Sequence, residues 1–269
     1  MRALHQTLDD EPKVLVDPIA SRLVDPDLYK TTRAVLEQMP LALAARFAAM
    51  FALRSRYAED CLKESFNIGV RQYVILGAGL DTFAYRQPPW AERLKIFEVD
   101  YPSTQESKRE RLNAAGISIP ENVKLAAVDF EKIPLRDGLS GVGFDFTTPA
   151  VFSMLGVSQY LGEDTLDLTL KLVLSMPAAS EIVLSFVLPQ DDLPPEEARL
   201  AAMGAAGAAA NGEPWLTRFH PGELEAKLKA MGFSKVGHLS PEDANQRYFR
   251  SRGDGLRALV MEQTMRAIV

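Results

Sequence analysis

Val74-Ile-Leu-Gly-Ala-Gly-Leu-Asp-Thr82 is the stretch that decides the fold. A short run of β-branched and aliphatic residues enters a pair of glycines, as a buried strand does where its backbone must approach a ligand. The next apolar run, Leu94 to Val99, ends on the carboxylate of Asp100. Strand, glycine turn, second strand and acid, in that order, open an α/β nucleotide-binding sheet in which the acid holds ribose hydroxyls. A structural turn without a ligand is the alternative, and the acids downstream argue against it.

Further along the chain the same alternation continues. Strand-like runs lie at Tyr73–Leu76, Leu94–Val99, Val123–Val128, Ala150–Leu155, Glu181–Val187 and Ser234–Leu239, with helix-like stretches at Ser103–Ala115, Glu163–Met176 and Gly222–Met231. This pattern predicts a largely parallel sheet covered on both faces. The apolar tail Leu256–Val269 reads as a last, antiparallel strand. Ahead of the first strand, residues 1–68 read as helical after a polar start. Asp25, Pro26 and Asp27 open a helical segment that reaches Met50 and is broken or bent at Pro40; a second helix runs from Arg54 to Phe66 and closes at Gly69.

The bulk properties narrow the class. A chain of 269 residues with 47% hydrophobic content suits one large α/β domain with a cap better than two independent domains. Thirty basic against 36 acidic residues leave a net charge of −6 without a Lys/Arg run, which argues against nucleic acid as a partner. Cys61 is the sole cysteine, so no internal disulfide is expected, nor any Cys-rich metal site. No signal-like N-terminus and no uncharged stretch of bilayer-spanning length is present, and a cytoplasmic protein with no membrane partner is expected. Oligomeric state is not encoded in any pattern here.

Residues 189–217 interrupt the alternation. They open with Pro189-Gln-Asp-Asp-Leu-Pro-Pro195, pass through the Ala/Gly run 201–212 and close on Glu213-Pro-Trp215. The segment reads either as a mobile surface helix or as a lid over the carboxyl ends of the strands, where open α/β sheets bind ligands.

Which ribose-bearing ligand the turn serves depends on its third position. A dinucleotide site wants Gly-x-Gly-x-x-Gly, with a pyrophosphate at the following helix N-terminus. Here the third glycine is replaced by Thr82, and Asp81 would set negative charge against a diphosphate. S-adenosylmethionine carries no phosphate. It wants glycines for close approach, an acid for its ribose, and an arginine for its carboxylate. Asp100 is the ribose candidate, and Asp129-Phe130 suits an adenine amino group and ring face. Asp129 taken alone reads equally as a helix cap.

These residues are similar to the leucine carboxyl methyltransferase-like group of class I adenosylmethionine-dependent methyltransferases, and more closely to a bacterial branch of it. The resemblance spans nearly the whole chain. It is carried by Leu53-Arg-Ser-Arg-Tyr-Ala-Glu-Asp60, by Gly69 to Arg86 with its Gly-Ala-Gly-Leu-Asp-Thr-Phe-Ala-Tyr-Arg string, by Phe97-Glu-Val-Asp-Tyr-Pro102, by Phe152 to Leu161 and by Pro241 to Phe249. It implies a Rossmann-like sheet, mostly parallel with the last strand antiparallel, in a single domain over 1–269 with a helical cap (1–68) and an inserted lid (189–217). It also implies cofactor contacts from Arg54 (Arg56 being the alternative), Gly77, Ala78, Gly79, Asp100, Asp129 and Phe130. Without the resemblance, Arg54 and Arg56 read as a solvated helix face paired with Glu59 or Asp60. Two departures stand out: Phe83 where many relatives have arginine, and Leu155 where the leucine carboxyl methyltransferases proper carry an acid near the cofactor's methionine end.

Methyl transfer asks the protein mainly to align a nucleophile and exclude water. A carboxylate acceptor is already ionised, whereas a phenol or alcohol needs a base. No catalytic residue is singled out. Substrate-facing candidates are Tyr160, with a core or rim tyrosine as the alternative; Trp215, with Phe219 beside it, or else an anchor; and His220, which reads otherwise as an exposed residue at a helix start. The expectation is an adenosylmethionine-dependent O-methyltransferase acting on a small molecule, a carboxylate or polyketide-like metabolite. The competing functions are a nicotinamide-dependent oxidoreductase and a non-catalytic adenosylmethionine or adenosylhomocysteine binder, with Phe83 and Leu155 as marks of decay.

Overall fold

The structure is a computed structural model that describes residues 1–129, 133–250 and 252–269. Its centre is β1 (Gln72–Leu76), every residue of which is buried. Val74 and Leu76 point to one face and Tyr73 and Ile75 to the other, as the two-residue period of a strand requires. β2 (Lys95–Asp100) and β4 (Ala150–Met154) flank it in parallel, with Val74 opposite Phe97 on one side and Phe152 on the other. Outside these lie β3 (Val123–Ala127), β5 (Glu181–Val187), β6 (Lys235–Leu239) and β7 (Glu262–Ile268). The order is β3-β2-β1-β4-β5-β7-β6, parallel throughout except β7, which runs antiparallel to both β5 and β6. The expected strands are all present, but the last begins at Glu262 rather than Leu256. Residues 256–261 are unpaired chain whose Leu256, Leu259 and Met261 are buried.

Four helices precede the sheet: α1 (Arg2–Leu8), α2 (Ala20–Leu23), α3 (Pro26–Leu36) and α4 (Leu41–Asn67). Two expectations are corrected here. The polar start is helical, because Ala3, Leu4 and His5 bury against α4. No second helix begins at Arg54: α4 is one helix of 27 residues, since nothing between Leu53 and Arg56 breaks it and Ala44, Ala48, Ala52 and Ala58 favour continuing. Pro40 does end the preceding segment, lying between α3 and α4. Gly69 closes α4 at φ +107°, its N–H donating to Phe66 O while Val70 N–H donates to Ser65 O.

The remaining α-helices among the described residues are α5 (Pro102–Ala114), α6 (Leu135–Gly141), α7 (Glu163–Leu174), α8 (Pro195–Ala210), α9 (Pro221–Met231) and α10 (Pro241–Ala244). α6, α7 and α9 cover the Val74–Leu76 face through Leu135, Leu139, Leu166, Leu170, Leu224 and Leu228. α4 covers the other face through Leu62 and Phe66. The crossover from β1 to β2 contains two 3-10 turns, Phe83–Tyr85 and Pro89–Arg93, and no α-helix. Among the described residues, no helix is long and apolar enough to cross a membrane.

Candidate cofactor and methyl-transfer site

The carboxyl ends of β1 and β4 lie beside the glycine turn, and a cleft of about 320 Å³ opens there. Gly77, Ala78 and Gly79 form one wall, and Leu155 and Gly156, just after β4, form another. Phe51, Arg54 and Ser55 from α4 close a third side, and Met1, Arg2 and Ala3 stand across the opening.

The turn is held by β2. Gly77 and Ala78 donate to Val99 O at 2.8 and 3.1 Å, and Gly79 N–H donates to Asp100 Oδ2 at 2.5 Å. Asp100 Oδ1 accepts from its neighbour Tyr101 N–H at 2.7 Å. Each carboxylate oxygen keeps a further lone pair for a ligand hydroxyl. Gly77 has φ +65°, and a Cβ there would stand 2.3 Å from Val157 Cγ2, so only glycine fits. Asp129 comes two residues after β3, and Val128 N–H between them donates to Asp100 O. Phe130 lies outside the described residues.

Arg54 and Arg56 separate cleanly. Arg54 reaches the cleft, its guanidinium over the Phe51 ring and against Gly156, where a Cβ would come 2.5 Å from Nη1. Its Nη1 donates to Glu262 Oε1 at 2.7 Å. Arg56 faces away and pairs with Asp60 at 3.0 Å, the solvated-face arrangement. Glu262 was not visible to sequence reasoning as a site residue, because it lies 208 positions away.

The Asp-Thr–Ala-Tyr-Arg string after the glycines binds protein. Asp81 Oδ2 accepts from Arg2 Nη1 at 2.8 Å, and Arg2 also reaches Leu80 O and Ser55 Oγ. Thr82 Oγ1 donates to Asp17 Oδ2 at 2.6 Å. Arg86 holds Glu59 of α4 through both guanidinium nitrogens and donates through Nε to Thr82. Three residues of one motif therefore tie α1, the loop before α2, and α4 to the glycine turn. Burial acts to raise the Asp81 carboxyl, but Arg2, Lys108 and Arg86 outweigh it and hold it at about 2. Burial pushes Glu59 up despite Arg86 beside it. Phe83 is 1% exposed and packs edge-on to Tyr73 at 5.4 Å. It is a core residue, so the departure from arginine there leaves the cleft wall intact.

The substrate-facing candidates lie elsewhere. Tyr160 ends the 3-10 turn Ser158–Tyr160 after β4 and does not line the cleft. Trp215 packs on α8, 3.3 Å from where a Gly204 Cβ would sit, and so anchors that segment. Phe219 is buried in the main core. His220 is 48% exposed, precedes α9 and pairs with Asp192 at 3.0 Å, which is the helix-start reading rather than the substrate-facing one. The 189–217 segment contains α8, and Glu197 pins it. One Glu197 oxygen accepts from Val260 and Met261 N–H at 2.6 and 2.9 Å, and the other pairs with Arg46 at 3.1 Å.

A family model described as leucine carboxyl methyltransferase matches residues 1–174. The chain belongs to the leucine carboxyl methyltransferase family. The Bacillus subtilis (strain 168) protein named "Putative S-adenosyl-L-methionine-dependent methyltransferase YktD" is 36% identical over 250 residues, covering 89% of this chain and 76% of that protein. A Mycobacterium sp. (strain JLS) protein with the same type of name is 32% identical over 159 residues, 57% of this chain; the match spans only half of that relative. Among solved structures, a Thermobifida fusca protein named a "putative methyltransferase" superposes with TM-score 0.61 at 16% identity over 94% of both chains. Human N-acetylserotonin methyltransferase in complex with SAM gives 0.53 at 13% identity, over 99% of this chain and 66% of that one. At these identities the structural likeness speaks for the fold alone.

This family member is an S-adenosylmethionine-dependent methyltransferase with the class I sheet. The cleft fits that cofactor: a glycine turn at positive φ whose Cβ-free backbone lines it, a carboxylate at the turn, and a guanidinium on another wall. The competing functions gain no support. A dinucleotide's pyrophosphate would need the helix N-terminus that the β1–β2 crossover lacks, and one supposed mark of decay, Phe83, is core packing.

Proposed function

We propose that this methyltransferase transfers a methyl group to oxygen on a small-molecule acceptor, and that the acceptor is a carboxylate. The observation that carries this reading is the chemistry of the cleft wall. Its titratable side chains are Arg2, Arg54 and Asp81, and Asp81 is already taken by Arg2. Histidine, cysteine and lysine are absent from that wall, and its one group brought near neutrality is the Met1 α-amino group, pushed down to about 6 mainly by burial. No side-chain base is offered, which favours an oxygen that arrives ionised. Bound adenosylmethionine supplies an electrophilic methyl on a sulfonium leaving group. The chain binds and orients. Asp100 accepts the ribose hydroxyls with the lone pairs that Gly79 and Tyr101 leave, Gly77–Gly79 allow close approach, Asp129 and Phe130 serve the adenine, and Arg54 takes the cofactor carboxylate. α1, clamped by Arg2, shields the cleft from water.

The test is transfer from methyl-labelled adenosylmethionine to a panel of small carboxylic acids, phenols and alcohols, followed by mild base. Label released as methanol marks a carboxyl ester and is the expected result. Label that stays in base-stable ether or amine product would overturn the reading.

A further inference from the structure

Glu262 is the first residue of β7, opposite Val187 at the carboxyl end of β5. Its side chain is 5% exposed, and among the described residues its one hydrogen bond is Oε1 to Arg54 Nη1 at 2.7 Å. A carboxylate can accept about four hydrogen bonds, so acceptor capacity remains for a ligand beyond the bond to Arg54. Arg54 is equally fixed: Phe51 lies under it, and Gly156 lets the guanidinium press on the backbone. Leu155, the neighbouring wall residue, contributes no charge. One wall of the cleft therefore carries a cation, Arg54, whose Nη1 is in contact with the Glu262 carboxylate, each held by packing.

We infer that Arg54 and Glu262 together form a receptor for an α-amino-acid zwitterion, in which Glu262 accepts N–H bonds from the ammonium of the cofactor's methionine end while Arg54 takes its carboxylate. This rests on the reading that the amino-acid end lies at Arg54. The physical case is charge balance. A zwitterion carries adjacent opposite charges, and a lone arginine would satisfy one of them while leaving an ammonium desolvated, which is costly. With no ligand bound, the two side chains neutralise each other, so neither charge stands buried and bare. With ligand bound, four charges alternate in sign. A role confined to holding Arg54 in place would make Glu262 matter equally for every ligand with a carboxylate.

The test is calorimetric titration of the full chain, wild type and Glu262→Gln, with adenosylhomocysteine, its des-amino analogue and 5′-methylthioadenosine, which lacks the amino-acid moiety. Glu262→Gln should weaken adenosylhomocysteine by roughly tenfold or more, the weight of a charge-assisted bond. It should leave the des-amino analogue and 5′-methylthioadenosine within about twofold of wild type, which also reports that the variant is folded. Equal losses for adenosylhomocysteine and its des-amino analogue would overturn the proposal and reduce Glu262 to a support for Arg54. No loss for either would place the ammonium elsewhere. The underlying reading fails separately, and the proposal with it, if Arg54→Ala leaves wild-type adenosylhomocysteine affinity unchanged.

Discussion

Replacing Gly77 with alanine sets a methyl group where Val157 already stands. The new Cβ would be 2.3 Å from Val157 Cγ2 and 3.2 Å from Cγ1. Contact between carbons is comfortable at about 3.5–4.0 Å, so Val157 must move by more than ~1 Å. Overpacking of that kind costs roughly 1–3 kcal/mol. The backbone adds a second penalty, because φ is +65° and a left-handed conformation costs an alanine about 1–2 kcal/mol. Together these predict a loss of roughly 2–5 kcal/mol. The two parts can be separated. Val157→Ala removes both offending methyl groups and leaves Cβ as the nearest atom at 3.3 Å. In the double variant the overlap should vanish while the φ penalty stays, giving a favourable coupling of about 1–3 kcal/mol in a double-mutant cycle. Urea unfolding with unchanged m-value is the assay. A coupling below about 0.5 kcal/mol would refute the reasoning, since it would mean that the turn relaxes away and close approach is not enforced.

Four other variants probe the cleft and the segments around it. Arg54→Ala should weaken adenosylhomocysteine by about 10–100-fold, while Arg56→Ala, whose guanidinium pairs with Asp60, should change it by no more than about twofold; equal effects in calorimetry would break the assignment. Asp81 is held at about 2 against an ordinary 3.8, so its contribution is present above pH 3.8 and lost as pH falls toward 2. That gap corresponds to roughly 2 kcal/mol, and Arg2→Ala should remove much of it and flatten the acid limb of stability measured by circular dichroism. An unaltered acid limb would show that Arg2 is not the main partner. Glu197→Ala should cost about 2–4 kcal/mol by orphaning the Val260 and Met261 N–H groups, and should speed limited proteolysis within 189–217; unchanged cleavage would mean that α8 is held by something else.

The strands were legible because their signal is local. Glu181–Val187 is apolar at Ile182, Val183, Leu184, Phe186 and Val187, and it is found with those bounds. Asp100 could be placed because the run before it stops where β2 stops. The choice between Arg54 and Arg56 was also written locally, although it takes the helical period to see it. Two residues along a helix turn the side chain by roughly 200°, so only one of the pair can face the sheet. Met50, Ala58 and Leu62 share the Arg54 face and are buried, whereas Asp60 shares the Arg56 face and is polar. Treating 54–66 as a separate helix hid that register, since Met50 then appeared to belong to another element.

What stayed illegible is the set of partners that arrive from far along the chain. Arg2 with Asp81, Asp17 with Thr82, and Arg54 with Glu262 are separated by 79, 65 and 208 positions, and no periodicity encodes such a pair. This bears on what the motif means. After the glycines, Asp81, Thr82 and Arg86 are occupied by the N-terminal cap, and Phe83 by the core. The string therefore records how the N-terminal helices are fastened beside the cleft. Those four side chains are engaged by other parts of the chain, which leaves acceptor recognition to residues outside the clamp. Discrimination among acceptors must then come from side chains that the clamp leaves free to vary.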